Sequence, residues 1–542
     1  MIGAIFIYAC VAIFVVFFFG LCIFVHELGH FLAAKWRGLH VVAFSIGFKK
    51  IWGYKYKGVD YRIGCIPVGG YVDLPQIDST GPAKDEDGNV LPPVKPVDRI
   101  ITAFAGPLFN ILFGLFLGTF LWIHGIPQDT PKLKSFEVAF VAEDSPEFGA
   151  GLRKGDFVQT LNGSRFYGTW NDFVRKILFT VGDVELGVKR GSENLTVKYL
   201  PKANRNVMPE EGLAYPYFFP KIPVIVVPLP GSPAEKAGLK KDDVVLKVNA
   251  VEISGHDEFF DKINESAGKP LVLTVNRQGK IFDVGDIAAV EEPSAAFYRI
   301  GVRYDSKLPV LISEVVPGSA ADKGGICKND VIQKINGKVL TTPETFFNQI
   351  QQSRGSEMEF SVLRGEQVLS IRFAPGLVRN YTIGVQQVFY SHPNPFQQFA
   401  DVIDMTYKSL RGMVSRKSTI KPRHMSGPLG IVSVIGKAVY RGNIVQALNL
   451  IVMITFSLAL INLFPLPVLD GGHIVLSAIE GIRGKPLPEA LVKPIFMICA
   501  VLLIGLMVFV TFYDIIRTLP SPAKMSAPVK KELKTGQGET KP

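Results

Sequence analysis

Residues 2–25 carry no charge and are almost continuously apolar, enough to span a bilayer, which needs about 20 such residues. At the inner end of that run stands His26-Glu27-Leu28-Gly29-His30. Ionisable groups at membrane depth are costly and usually functional. On a helix, positions i and i+4 share one face, so His26 and His30 can both point at one ion. Glu27 lies one position round, placed to take a proton from water. Taken alone, the pattern also fits two interfacial histidines beside a snorkelling glutamate.

His-Glu-x-x-His on a helix is also the arrangement in which two histidines bind zinc and the glutamate serves a metallopeptidase as general base. Such a zinc has three protein ligands and one open position, so a third ligand is needed. The candidate is Asp470, within Asn462-Leu463-Phe464-Pro465-Leu466-Pro467-Val468-Leu469-Asp470-Gly471-Gly472-His473. This stretch closes a second apolar run, Ala447 to Val468, interrupted by two prolines. Proline removes a backbone donor and stops a helix. At membrane depth such breaks are tolerated where the backbone faces protein or a watery cavity. Asp470 is the only acid between residues 405 and 479. A plain Asp-Gly turn is the other reading of this site.

These motifs, with PDZ-like repeats between them, resemble the site-2 protease family of intramembrane zinc proteases. The nearer likeness is to its bacterial branch, which includes the regulator-of-sigma-E protease. Phe44-Ser45-Ile46-Gly47-Phe48, Ile66-Pro67-Val68-Gly69-Gly70-Tyr71-Val72, Ala105-Gly106-Pro107-Leu108-Phe109-Asn110 and Ser426-Gly427-Pro428-Leu429-Gly430-Ile431 fit that branch. The resemblance runs from residue 1 to about residue 516. It implies that His26, His30 and Asp470 bind Zn2+, that Glu27 is the general base, and that Asn462 and Pro465 lie at the substrate cleft.

The chain has 542 residues, 48% hydrophobic, 39 of them Phe, which suits a membrane protein of several domains. Its mean hydropathy of +0.25 agrees. A net charge of +11 raises nucleic acid as a partner, but no basic helix or stacking platform appears. No secretory signal peptide is evident, for want of a positive n-region and a small-residue cleavage site. Four apolar runs read as transmembrane helices: 3–25, 100–124, 447–468 and 494–513. Lys35, Arg37, Lys49, Lys50, Lys55, Lys57 and Arg62 follow the first, so the positive-inside rule puts that loop in the cytoplasm. Both termini and residues 125–446 are then extracytoplasmic, in a bacterial inner membrane, with the metal motifs toward the cytoplasmic side. The tail, 517–542, reads as polar and disordered, although its lysines run against an outer position. Cys327 is the lone cysteine of the extracytoplasmic region, so no disulfide framework is expected.

In the cytoplasmic loop, residues 59–72 read as two short strands around a Pro/Gly break. In the family a β-hairpin dips back into the membrane beside the zinc. Its exposed edge, at Gly69 and Gly70, would hold an unwound substrate by strand addition. A surface hairpin with a glycine turn is the plainer reading.

Residues 135–386 contain an internal repeat. Ser145-Pro146 with Ala150-Gly151-Leu152-Arg153-Lys154-Gly155-Asp156 recurs from Ser232-Pro233 and again from Ser319-Ala320, each step being 87 residues. That period is too long for a solenoid unit and suits a small domain. The pattern resembles circularly permuted PDZ domains, set in tandem over 135–215, 222–302 and 308–386. Ile300-Gly301-Val302 is the candidate groove strand of the second copy and Ile383-Gly384-Val385 of the third, while the first offers only Gly212-Leu213. Rigid spacers without a peptide ligand are the alternative.

Residues 395–445 space Phe396, Phe399, Val402, Ile403, Met405, Thr406 and Leu410 as one helical face, suited either to the membrane surface or to core packing. His124, His392 and His424 have no partner pattern, and His473 is a candidate support for the metal site.

The expectation is therefore a polytopic α-helical membrane protein of four transmembrane helices, with a membrane-associated β-hairpin and three tandem extracytoplasmic α+β PDZ-like domains. Its segments are the helices at 1–34, 99–125, 446–470 and 494–516, and the hairpin loop at 35–98. The resemblance implies an intramembrane zinc endopeptidase acting on single-span membrane proteins already cut outside, such as anti-sigma factors or signal-peptide remnants. The bilayer and peptide termini at Gly301 or Gly384 are its other partners; no nucleic acid is expected. A membrane-anchored PDZ scaffold with a vestigial metal site is the competing reading, disfavoured by the intact Glu27. A transporter is disfavoured by four spans without an inverted repeat.

Overall fold

The computed structural model describes residues 2–518 apart from 78–82, 85–87, 129, 205–211, 254, 293–296, 305–309, 341–342, 366, 379, 387–388, 441 and 486. From residue 519 onward the expected tail lies outside the described residues. Four described helices are long and apolar enough to cross a membrane: Val11–Arg37, Pro96–His124, Ile444–Asn462 and Glu489–Arg517. They fall on the four apolar runs.

The first span belongs to α1, Ile2–Arg37, which carries the His-Glu-x-x-His turn inside the helix rather than at its end. Helix α2, Pro96–His124, starts with proline in its first turn, where the missing N–H has no partner to lose. It is the hub of the helical region, packing on α1, on the Ile444–Asn462 helix and on a shorter helix, Asp470–Arg483.

The third span is shorter than expected. The run over 446–470 does not stay helical to Asp470; its helix stops at Asn462. Pro465 and Pro467 cannot donate to helix carbonyls, so the chain turns through 463–469 and a new helix begins at Asp470. That turn folds tightly onto the new helix. A Cβ on Gly471 would collide with the carbonyls of Leu463 and Phe464, and one on Gly472 with that of Leu466. The Gly-Gly pair after Asp470 is thus demanded by the turn.

The cytoplasmic loop forms one long hairpin rather than two short strands at 59–72. Strand β1, Ala43–Tyr56, pairs antiparallel with β2, Val59–Asp73. The reversal is at Lys57-Gly58, both with positive φ, so Gly69 and Gly70 lie inside a strand and not in a turn. Repeated register shifts bend the ribbon, as bulges do.

Residues 395–445 divide into helix Pro395–Val414, a short turn at Pro422–His424 and helix Pro428–Tyr440. The first packs on α2 and on the Ile444–Asn462 helix, with the Phe399 and Phe456 rings 5.0 Å apart. Phe399 and Val402 face inward, while Phe396, Ile403 and Leu410 are exposed, so the expected apolar face is split between two sides.

The chain separates into two compact units. One holds Met1–Lys221 and Val388–Ile515, with the helices and the first repeat; the other holds Ile222–Gln387, with the second and third repeats. Each repeat is a sheet with two helices. The first sheet runs Glu193–Tyr199, Val184–Arg190, Phe157–Leu161, Phe136–Val141 and Phe218–Pro220. The second has the same order, but its last strand is Val385–Gln386, paired with Val224–Pro228. In the third, Val302–Tyr304 takes that edge beside Val310–Val315.

The copies are therefore nested and not tandem. The third is inserted into the second, and the groove-strand assignments exchange. Ile383-Gly384-Val385 closes the second copy: Leu229 and Ala234 donate to the carbonyls of Gly384 and Ile383. Ile300-Gly301-Val302 opens the third: Val316 and Ala321 donate to Gly301 and Ile300. In the first copy the matching bond, from Ala142, goes to Tyr217, so Gly212-Leu213 is not its groove strand. Domain ends commonly lie close together, so one domain can interrupt another without opening its sheet.

One ion pair recurs in all three copies. Asp156, Asp243 and Asp330 are fully buried and bound by Arg190, Arg277 and Arg364, each 34 residues later, at 2.7, 2.7 and 2.8 Å. Each carboxylate also accepts a backbone N–H, from Arg153, Lys240 or Cys327. Each guanidinium also donates to a glycine carbonyl, at Gly151, Gly238 or Gly325.

Candidate metal centre

Three side chains that are distant in sequence meet in the helical region. His26 and His30 lie one turn apart on the face of α1 turned toward α2, and Asp470 opens its own helix, where the N-terminal dipole favours a carboxylate. His26 Nε2 is 3.2 Å from one Asp470 oxygen, His30 Nε2 is 3.4 Å from the other, and the two Nε2 atoms are 3.2 Å apart. Both histidines are buried, and all three donor atoms fall within 4.8 Å of one another.

Small residues make this convergence possible. A Cβ on Gly29, inside the His-Glu-x-x-His turn, would collide with the Ala105 carbonyl of α2. One on Gly106 would collide with the His30 ring. The two glycines let α1 and α2 approach until His30 Nδ1 is 2.8 Å from the Thr102 carbonyl. On the far side of α1, β2 passes close by: a Cβ on Gly70 would lie 3.2 Å from Glu27 Cγ. The Val72 amide faces the Glu27 carboxylate.

The donor set fits a zinc ion. Two imidazole nitrogens and one carboxylate are the ligands of catalytic zinc sites that keep a position open. A side chain at Gly106 would run into His30 Nε2, so the glycine keeps that ligand atom uncovered.

A model of "Peptidase family M50" matches residues 14–506. The chain belongs to peptidase family M50. The family expected from the motifs, and the endopeptidase activity it implies, stand with that match. This M50 peptidase is 26% identical to the regulator of sigma-E protease RseP of Escherichia coli over 517 residues, 92% of this chain and 96% of that one. It is 28% identical to a Neisseria meningitidis serogroup A protein named as a zinc metalloprotease, over 93% and 98% of the two chains. Among solved structures, an HtrA3 PDZ domain bound to a phage-derived ligand matches 16% of this chain at 26% identity and a TM-score of 0.15, covering 90% of that domain. The fold of the repeats rests on their own strand pairing.

Of the other residues singled out in the sequence, Asn462 reaches the cluster, its Nδ2 3.4 Å from His26 Nε2. Pro465 is exposed in the turn between the two helices. His473 is outside the cluster; its ring lies against Phe496, 5.6 Å between centroids. His124 and His392 bond backbone carbonyls, those of Phe120 and Trp122. Gly301 and Gly384 stand at matching positions of two different modules, with φ of +82° and +71°, where a Cβ would press on Ser319 and Ser232.

Two residues of the site had no role assigned to them from the sequence. Thr102 takes part through its carbonyl, which leaves no mark on residue identity. Asn110 is fully buried with Nδ2 3.3 Å from His26 Nδ1. In the sequence it was marked as the last residue of a segment that fits the resembled family and as a polar residue inside an apolar run, with no role attached to it.

Proposed function

We propose that the chain is an intramembrane zinc endopeptidase in which His26, His30 and Asp470 hold the metal and Glu27 is the general base. The observation that carries this is the meeting of three ligand-type donors within 4.8 Å, brought from positions more than 400 residues apart. The relative named as a zinc metalloprotease supports the choice of metal. When bound, zinc supplies Lewis acidity, lowering the pKa of water toward about 7 and polarising a carbonyl. Glu27 takes a proton from the attacking water on its carboxylate and returns it to the leaving amine. The helix-borne cluster excludes bulk water, and Asn462 turns its amide toward the cleft to hold the scissile segment.

A helix hides its carbonyls in its own hydrogen bonds, so the substrate is bound extended. The passage of β2 beside Glu27 supports capture by strand addition at Gly69 and Gly70. The substrate is a single-span membrane protein shortened beforehand on the outer side; a relative named as a regulator of sigma-E protease supports a role in regulated proteolysis. The charge pattern supports an inner-membrane orientation with the repeats outside. There the PDZ-like modules act as a size filter that passes stumps and rejects bulky outer domains. Grooves at Gly301 and Gly384 add recognition of a new terminus.

The test uses purified protein in lipid vesicles and a tagged single-span substrate, uncut or shortened. The stump should be cleaved, and Glu27→Gln should lower the rate by about 10²-fold or more while keeping zinc. Replacing the repeats with a flexible linker should admit the uncut substrate. Normal turnover in Glu27→Gln rejects the mechanism. A folded, zinc-loaded deletion variant that still refuses the uncut substrate rejects the filter.

A further inference from the structure

The two histidines are held from behind by the same helix, but by different groups. His30 Nδ1 faces the Thr102 carbonyl at 2.8 Å. A carbonyl only accepts, so Nδ1 carries the proton there and Nε2 keeps its lone pair for the side on which Asp470 lies. His26 has the same orientation: Nε2 faces Asp470 and His30, and Nδ1 faces the Asn110 carboxamide.

A neutral imidazole has one N–H and one lone pair. If Nε2 of His26 gives its lone pair to a cation, Nδ1 must carry the proton and needs an acceptor. Asn110 presents Nδ2 at 3.3 Å, a second donor, while its Oδ1 is buried without a hydrogen-bond partner. The two ends of a carboxamide have the same shape, so a half-turn about the last side-chain bond exchanges them in place. Nothing else claims the oxygen.

We infer that Asn110 is the positioning residue for His26: its amide oxygen accepts the Nδ1 proton and thereby commits Nε2 to the metal. One helix then sets the tautomer of both histidines, with a main-chain carbonyl for His30 and a side-chain one for His26. The backbone contact cannot be lost by substitution, whereas the Asn110 contact can. This inference rests on the zinc reading of the cluster.

The test measures zinc affinity by chelator competition in the full-length protein. Asn110→Leu keeps the volume and removes the acceptor; zinc binding should weaken about 10- to 100-fold, the usual cost of losing a partner behind a metal-binding histidine. Asn110→Asp can only accept, and should stay within a few-fold of the native chain. Histidine 15N NMR on the zinc-loaded native protein should show His26 protonated at Nδ1 and metal-bound at Nε2, independently of either variant. Native affinity in Asn110→Leu, equal losses in both variants, or a His26 bound through Nδ1 overturns the inference. A native protein that binds no zinc overturns the zinc reading as well, so the two failures are told apart.

Discussion

In the three modules one buried carboxylate recurs at the same position of each copy and has its own guanidinium, Asp156 with Arg190, Asp243 with Arg277 and Asp330 with Arg364. In the helical region, among the described residues, Asp470 faces only His26 and His30, and the two imidazoles face each other. Both places bury ionisable groups. The module pairs are closed, since acceptors and donors match and nothing is left for an outside ion. The helical cluster is open, since two ring nitrogens and a carboxylate turn lone pairs toward one point. A closed pair repeated at a fixed interval holds a fold together; an open cluster occurring once is where a cation and chemistry belong.

The comparison is broken most sharply at Asp470. Asp470→Ala should remove nearly all zinc from the purified protein and abolish cleavage, yet leave the thermal unfolding of the repeats unchanged. Zinc retained in full would refute Asp470 as the third ligand. The converse change is Arg277→Ala, which strands a buried carboxylate and should lower the melting temperature of the second module. Its zinc content should not move; a drop would show that the two kinds of charge are linked.

Asn462→Ala tests the border of the open cluster. It should slow cleavage by roughly tenfold, as expected for one lost hydrogen bond to the substrate, with zinc still bound. Substrates with helix-breaking residues near the cut should suffer less. If helix-stabilising changes in the substrate left the rate untouched, strand capture would be wrong.

The smallest effect is with pH. Burial pushes the carboxyls of Asp243 and Asp330 up, but bonds from Arg277 and Arg364 and from the Lys240 and Cys327 amides outweigh it and hold them below the usual carboxylate range. A carboxyl depressed in the folded state contributes stability above its unfolded value, about 3.9, and loses it as pH falls through the folded one. The melting temperature of residues 222–387 should hold down to about pH 5 and decline below it. Arg277→Ala should flatten that decline; an unchanged acid profile would remove the pair from the account.

The spacing of His26 and His30 fixed their shared helical face, and the long uncharged runs fixed four apolar helices, because both are local properties of a chain with a known rise per residue. Asp470 was legible as the lone acid of a long stretch. The 87-residue step located the interior of every repeat. The edges were beyond reach. In the second module the closing strand pairs with residues more than 150 positions away, and Val385–Gln386 closes it only because the third module is inserted before it. The hairpin turn moved to Lys57-Gly58 because residues 59–73 pair along their length with a partner strand that a reading from Val59 onward left out. The sequence by itself determined which residues could serve as ligands and base. Tertiary packing decided that they meet, through the close approach of α1 and α2 at Gly29 and Gly106. It also decided that Thr102 and Asn110 stand behind the histidines, since a carbonyl or a carboxamide acquires a role only from what is folded against it.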